Sequence, residues 1–153
     1  MLRIWLAVSS ILLCAIGVHG SDDTQRSDPL IVSIANLTSV PCILEDIDLN
    51  QCPILSGYPA TLIAPQTERS FWVGQKTLGV YFKKSRVSLV YRCGDARIDL
   101  TSLQNSCLTE PYGQVWNGAS EYQVTYKALK GDCESHSPGM MLWRISAAHG
   151  FIP

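Results

Sequence analysis

Residues 87–107 read VSLVYRCGDARIDLTSLQNSC, and this stretch decides the fold class. Apolar and aromatic residues alternate with polar ones on both sides of Gly94-Asp95. A period of two places one residue class on each face of a β-strand, and a glycine-bearing pair between two such runs indicates a tight turn. We therefore predict a β-hairpin whose turn lies at Gly94-Asp95.

The same pattern continues over most of the chain. Short runs rich in β-branched and aromatic residues are separated by turn residues roughly every 8 to 12 positions, which is typical of a sandwich or barrel. Tyr122, Val124 and Tyr126, for example, alternate with polar residues. We predict an all-β fold, a single-domain antiparallel β-sandwich stapled by disulfides. The runs are LIVSIAN, VPCILEDIDL, YPATLIAP, RSFWVG, LGVYF, RVSLVYRC, ARIDLTS, GQVW, EYQVTYKAL and MMLWRISAA.

Residues 1–20 have the organisation of a secretory signal peptide. Arg3 precedes an apolar run over residues 4–16, and Val18 and Gly20 lie three and one positions before Ser21. This order predicts cleavage after Gly20, and the run is shorter than the about 20 apolar residues that span a bilayer. We expect residues 21–28 to be mobile, residues 29–153 to form the sandwich, and the protein to be secreted, or periplasmic in transit if its source is bacterial.

Charge and length limit the partners. Without residues 1–20, the chain keeps 11 of its 12 basic residues and all 13 acidic ones, which gives a formal charge of −2. This balance supplies no basic footprint for nucleic acid. The remaining 133 of the 153 residues suit one domain with one core. We predict no nucleic-acid partner and no cofactor.

Five cysteines remain once Cys14 is removed with the signal peptide, and in an exported protein disulfides are their default state. The five are Cys42, Cys52, Cys93, Cys107 and Cys133. We prefer the pairs Cys93–Cys107 and Cys42–Cys52, because each closes a short loop worth roughly 3 kcal/mol or slightly less in the chain-entropy model. A Cys107–Cys133 pair remains the alternative. With the preferred pairs, Cys133 is the odd cysteine and predicts a covalent homodimer.

Metal and catalytic motifs are sparse. Cys133 and His136 make one closely spaced pair, but a structural zinc site needs four converging ligands and no Cys-x-x-Cys occurs. Cys133 with His149 is the one thiol–imidazole combination that could serve as a nucleophile and base, and there is no Gly-x-Ser-x-Gly elbow or phosphate-binding glycine loop. We predict a protein that is not an enzyme, with a small hydrolase as a remote alternative.

A second ligand pattern is the acidic stretch EDIDLNQC. Asp46, Asp48 and Asn50 have the spacing with which calcium loops begin. Gln51 then occupies the position of the required glycine, and Gly57 that of the closing glutamate. Strand alternation explains the same spacing, so the three are weak metal candidates and we predict no metal site.

An aromatic and basic segment, LGVYFKKSRVSLVY, is the strongest binding candidate. It places Lys83, Lys84 and Arg86 at an expected hairpin tip beside Tyr81 and Phe82. Aromatic rings with a polar atom and nearby cations suit lipid headgroups and sugars, although a solvated turn and core aromatics are the ordinary alternatives. Three further aromatic residues are candidates for the binding surface: Trp72, Tyr112 and Trp116.

Asn36 begins the tripeptide Asn-Leu-Thr, which is a glycosylation acceptor in a eukaryotic secretory pathway. Its position at the end of a predicted strand leaves its occupancy open.

The order of the predicted strands resembles the aegerolysin family of small β-sandwich proteins. The similarity runs from IVSIANLTSVPCILEDIDL through SGYPATLIAPQTERSFWVG and VSLVYRCGD to EYQVTYKALKGD and GMMLWRISA. It lies in layout: a leading strand that ends in asparagine, a proline-bearing strand pair, an aromatic-cysteine strand and two closing strands. The WDCP-type segment of the family falls on residues 91–94, where Cys93 and an aromatic residue, Tyr91, are kept.

This resemblance implies a sandwich that binds membrane lipids, sometimes together with a larger pore-forming partner. We therefore expect a secreted binding protein that recognises a membrane lipid or glycan surface. The alternative is a secreted effector or inhibitor that binds another protein through a sheet edge and loops.

Overall fold

The computed structural model describes residues 29–78, 82–107, 109–116 and 120–148, with the backbone alone at 77–78 and 82–83. The predicted signal peptide at 1–20 and the segment 21–28 lie outside this part of the chain, as do Tyr81 and His149. Across the described ranges, no helix has the length and apolar character needed to cross a membrane.

In the described ranges, eleven strands form two main sheets. Sheet A has the order β10-β11-β1-β5-β3, and sheet B has the order β4-β2-β7-β8-β9, with β6 paired to β7. The bounds are β1 Leu30–Asn36, β2 Cys42–Asp48, β3 Ile54–Ser56, β4 Leu62–Ile63, β5 Thr67–Val73, β6 Lys76–Leu78, β7 Phe82–Cys93, β8 Ala96–Gln104, β9 Tyr112–Val115, β10 Tyr122–Leu129 and β11 Gly139–Ala147. The all-β prediction is confirmed.

The hairpin around Gly94-Asp95 is also confirmed. Strands β7 and β8 pair without interruption from Ser85 opposite Gln104 to Cys93 opposite Ala96. Gly94 has a φ of +58°, a left-handed conformation that glycine adopts without steric cost.

One core fills the space between the sheets. Its largest fully buried side chains are Trp143, Tyr91 and Phe71, which come from β11, β7 and β5. The Trp143 indole donates a 2.8 Å hydrogen bond to the Ser102 hydroxyl, so its N–H is satisfied inside the core. Gly113 on β9 lies against this ring, because a Cβ there would come within 2.5 Å of Trp143 Cη2. The aromatic core therefore bridges both sheets.

The topology departs from the antiparallel prediction in sheet A. Strands β1 and β11 pair in parallel, from Leu30 opposite Gly139 to Asn36 opposite Ile145, so sheet A is not purely antiparallel. Residues 79–81 of the expected strand LGVYF lie outside the described residues, between Leu78 at the end of β6 and Phe82 at the start of β7. Parallel pairing of the first and last strands is a long-range contact that local alternation does not encode.

The preferred disulfide pairing is wrong. The structure joins Cys42 to Cys93 and Cys107 to Cys133, and leaves Cys52 as a buried free thiol. The Cys107–Cys133 alternative is thus the one observed. Because Cys133 is bridged, the predicted covalent dimer through that residue loses its thiol. Two disulfides are typical of a protein that folds in an oxidising compartment.

Asn36 serves a structural purpose and is not accessible to a glycosyl transferase in the fold. Its side chain is fully buried. Nδ2 donates to the carbonyls of Val40 and Ile63 at 2.8 and 3.0 Å, and Oδ1 accepts from the hydroxyl and amide of Thr38. This amide closes one end of the sandwich by joining β1 to the loop before β2 and to β4.

Candidate functional site

The sandwich has two ends and two outer faces. We call the end at which β1 begins the lysine end, because Lys76, Lys84 and Lys130 lie there. The opposite end, at which β1 finishes and the β7–β8 turn lies, is the Gly94 end. A hydrogen bond from the Ser85 hydroxyl to the Gly74 carbonyl, 3.1 Å long, connects the two sheets at the lysine end.

A basic surface lies at the lysine end of sheet B. Lys76 on β6 is directly opposite Lys84 on β7. Because Ser85 and Val87 are buried, the alternation of β7 places Lys84 and Arg86 on its outer side. We define the basic surface as Lys76, Lys84 and Arg86.

Among the described residues, the cations of the basic surface have no carboxylate partner. The two ion pairs among the described residues, Arg92 with Glu45 and Arg97 with Asp99, do not include them. Arg86 Nε is shielded from solvent and has no hydrogen-bond partner in the described part of the chain. Like charges directly opposite on paired strands repel each other, so an anion bound here would stabilise the pairing of β6 with β7.

The buried thiol of Cys52 fixes the backbone beneath the basic surface. Strand β2 pairs with β7 up to Ser88, and β6 pairs with it again at Lys84. Between these two partners, the Arg86 amide donates a hydrogen bond to Cys52 Sγ at 3.4 Å. The Cys52 thiol in turn donates to the Lys84 carbonyl, 3.5 Å away. Cys52 therefore takes the place of a strand partner along the part of β7 between its β6 and β2 pairings, and it holds the start of β7 in place.

The predicted binding residues are only partly brought together. Lys84 and Arg86 lie within β7, where Lys84 is paired with Lys76, and not at a hairpin tip as expected. Phe82 and Lys83 begin β7, where the structure gives backbone alone. Tyr112 on β9 is opposite Leu103, which is opposite Arg86, so its half-exposed ring shares the outer face with the basic surface.

Trp116 and Trp72 lie elsewhere. Trp116 follows β9 toward the Gly94 end of sheet B, where its amide donates to the Asp99 carbonyl at 3.1 Å. Trp72 lies on the outer face of sheet A at the lysine end, since its neighbours Phe71 and Val73 point into the core. Among the predicted binding residues whose side chains the structure describes, Trp72 and Trp116 therefore lie apart from Lys84, Arg86 and Tyr112.

Trp72 belongs to an apolar row that crosses sheet A. Register places Trp72 next to Ile31, Ile31 next to Met140, and Met140 next to Leu129. Trp72 and Leu129 remain 39% and 48% exposed. The lysine end thus presents apolar side chains on sheet A and cations on sheet B, which is the combination found at membrane interfaces.

Sequence reasoning missed Lys76, whose place depends on its register with Lys84. A signal for the surface was nevertheless present. No acidic residue occurs between Glu68 and Asp95, while half of the 12 basic residues fall in that interval. They are Arg69, Lys76, Lys83, Lys84, Arg86 and Arg92.

A shallow cleft of about 320 Å³ adjoins the Cys107–Cys133 bridge. It is lined by Cys107, Lys130, Gly131, Asp132, Cys133 and Glu134. The Ser135 hydroxyl and the Glu134 amide donate to Asp132 and lower the pKa of its carboxyl. Since Cys133 is a disulfide sulfur, it cannot act as the nucleophile of the hydrolase alternative.

The weak calcium candidates do not converge. Asp46 and Asp48 lie on β2, where their carboxylates accept from the Ile47 and Asn50 amides at 2.9 and 2.7 Å. No three histidine, cysteine, aspartate or glutamate residues in the described ranges are grouped as metal ligands would be. The bond from the Asn50 amide to Asp48, the last residue of β2, caps the end of that strand.

Comparison with known proteins supports the fold alone. The sequence matches no known protein family and no curated protein. Among solved structures, the fold is similar to the crystal structure of the lipid binding protein Nakanori, with a TM-score of 0.59 and 14% sequence identity. The match covers 77% of this chain and 70% of that chain. At this identity, the similarity shows a shared two-sheet architecture.

Proposed function

We propose that this protein is a secreted, non-catalytic binding protein that attaches to anionic lipid surfaces through its lysine end. The observation that carries the proposal is the basic surface: Lys76 faces Lys84 directly, Arg86 follows on the same side, and none has a carboxylate partner within the described residues. Cations held together without counter-charges attract an anionic interface, at about 1 kcal/mol for each lysine or arginine near it.

Neighbouring apolar side chains supply the second part of the attachment. Tyr112 shares the outer face of sheet B, and Trp72 and Leu129 are exposed at the same end of sheet A. An aromatic ring at the headgroup level buries its apolar body and keeps its polar atom hydrated. Electrostatic attraction brings the protein to the surface, and partial burial of these side chains then slows its release.

The structural similarity to a lipid binding protein supports this proposal at the level of the fold. The aegerolysin-like layout of the sequence points in the same direction. The two disulfides are consistent with secretion, which the proposed signal peptide would direct.

Vesicle co-sedimentation tests the proposal. We expect the protein to pellet with vesicles of phosphatidylcholine and phosphatidylserine, and not with phosphatidylcholine alone. Added salt should release it, because screening weakens exposed charges. Equal pelleting with both compositions, or none with either at low salt, would contradict the proposal, and the latter result would favour the protein-binding effector alternative.

A further inference from the structure

A second surface, at the Gly94 end of sheet B, differs from the basic surface in chemistry. Trp116 is 65% exposed and stands beside Asp99, to whose carbonyl its amide is bonded. Arg97 precedes Asp99 by two positions on the same face of β8, and its Nε donates to the Asp99 carboxylate at 3.0 Å. Arg92 is directly opposite Arg97 and is paired with Glu45. We call these five residues the Trp116 face.

The charges of the Trp116 face cancel. Two guanidinium groups are matched by two carboxylates, one each, so the face has no net attraction for an anionic headgroup. The hydrogen bond and charge of Asp99 raise the pKa of Arg97 further, which keeps it protonated at any physiological pH. What remains is a set of planar hydrogen-bonding groups on β8, to which the backbone of the exposed Trp116 is bonded at Asp99.

A sugar ring matches this arrangement. Pyranose rings have one face rich in C–H groups, which pack on an indole, and a rim of hydroxyls that both donate and accept hydrogen bonds. A guanidinium has five N–H donors in a fixed plane, and a carboxylate has two acceptor oxygens. Each arginine binds its carboxylate through Nε, which is one of the five N–H donors of a guanidinium, and the ion pairs hold both groups in position beforehand.

We propose that the Trp116 face is a carbohydrate-binding site for neutral sugars, in which Trp116 stacks on the ring and Arg97 and Asp99 bind its hydroxyls. The site is open and lies on a sheet, so it suits a sugar at the surface of a polysaccharide or a glycolipid headgroup. It is separate from the basic surface, and its function does not depend on the lipid proposal.

Two assays cover both sources of sugar. Native gels cast with laminarin, hydroxyethyl cellulose or galactomannan report polysaccharide binding as slower migration. Phosphatidylcholine vesicles with and without galactosylceramide report binding to a neutral glycolipid headgroup. Retention in at least one assay supports the site, and absence from all of them overturns it.

Variants then locate the binding. Trp116→Ala should weaken retention by roughly tenfold or more, as loss of an aromatic stacking partner does, and Arg97→Ala should also weaken it, whereas Trp116→Phe should keep part of it. Tyr58→Ala is the matched control, because it removes another exposed aromatic side chain that belongs to neither proposed surface. Unchanged retention in Trp116→Ala would contradict the proposal. Pelleting with phosphatidylserine vesicles should stay the same in Trp116→Ala, so the two proposals can fail separately.

Discussion

Cys42 and Cys93 are directly opposite each other on β2 and β7, and a disulfide joins them inside the core. They are 51 positions apart in the sequence. The bridge therefore fixes the pairing of two strands that the chain must bring together over a long loop. Cys107 and Cys133, 26 positions apart, connect the loop after β8 to the loop after β10.

Removing the core bridge should cost more stability than removing the loop bridge. In the chain-entropy model, the Cys42–Cys93 loop is worth roughly 4 kcal/mol and the Cys107–Cys133 loop about 3.5 kcal/mol. Cys42→Ala/Cys93→Ala also leaves a cavity in the core, which adds to its cost. Urea denaturation of both double variants measures the difference. Peptide mapping of the parent protein should find Cys52 labelled by iodoacetamide only after unfolding, and a bridge that contains Cys52 would contradict the pairing.

Gln104 is expected to be a residue whose replacement stabilises the protein. Its side chain is fully buried above Gly139, and neither amide atom has a hydrogen-bond partner in the described part of the molecule. A buried amide without partners costs about 1–3 kcal/mol. Gln104→Met keeps the length of the side chain, so urea denaturation should show an increase of about 1 kcal/mol. Gln114→Met, on the exposed side of β9, is the control and should change little; a less stable Gln104→Met protein would contradict this reasoning.

Tyr91 should make the fold sensitive to alkaline pH. Burial raises the pKa of its phenol well above the ordinary value near 10, and the hydroxyl donates a 3.0 Å bond to the Ala60 carbonyl. Below about pH 10, the phenol is neutral in both the folded and unfolded states. As the pH rises further, only the unfolded state loses the proton, so the stability falls.

Comparison with Tyr91→Phe isolates this effect from the titration of lysines. The difference in urea midpoint between the two proteins should stay constant up to about pH 10 and then change as the parent protein loses stability faster. A difference that is independent of pH through this range would show that Tyr91 does not titrate in the unfolded state alone.

The sequence predicted those features that depend on neighbouring residues. The alternation on both sides of Gly94-Asp95 is a local pattern, and the β7–β8 hairpin follows from it directly. The parallel pairing of β1 with β11 and the Cys42–Cys93 bridge depend on contacts between distant segments. Loop length alone favoured shorter bridges, because it carries no information about which strands become neighbours.

The candidate site also combines features that the sequence predicts with features that depend on contacts between distant residues. Lys84 and Arg86 were identified by their composition, but they were assigned to a turn because turns are usually polar. Instead, Lys84 is paired with Lys76 and Lys83 with Thr77, while residues 79–81 of LGVYF lie outside the described part of the chain. Lys76 belongs to the basic surface only because of its register with Lys84. Trp116 lies away from the basic surface, near the other end of sheet B.

The most direct test of the lipid proposal measures membrane binding by a variant in which two lysines of the basic surface are replaced with neutral residues. Lys76→Gln/Lys84→Gln removes two charges from the basic surface, and Arg69→Gln/Arg144→Gln removes two exposed charges from sheet A toward the Gly94 end. Partitioning onto phosphatidylserine-containing vesicles should fall roughly 30-fold in the lysine variant, at about 1 kcal/mol for each charge, and much less in the arginine variant. Equal loss in both variants would contradict a localised site and indicate a response to net charge alone.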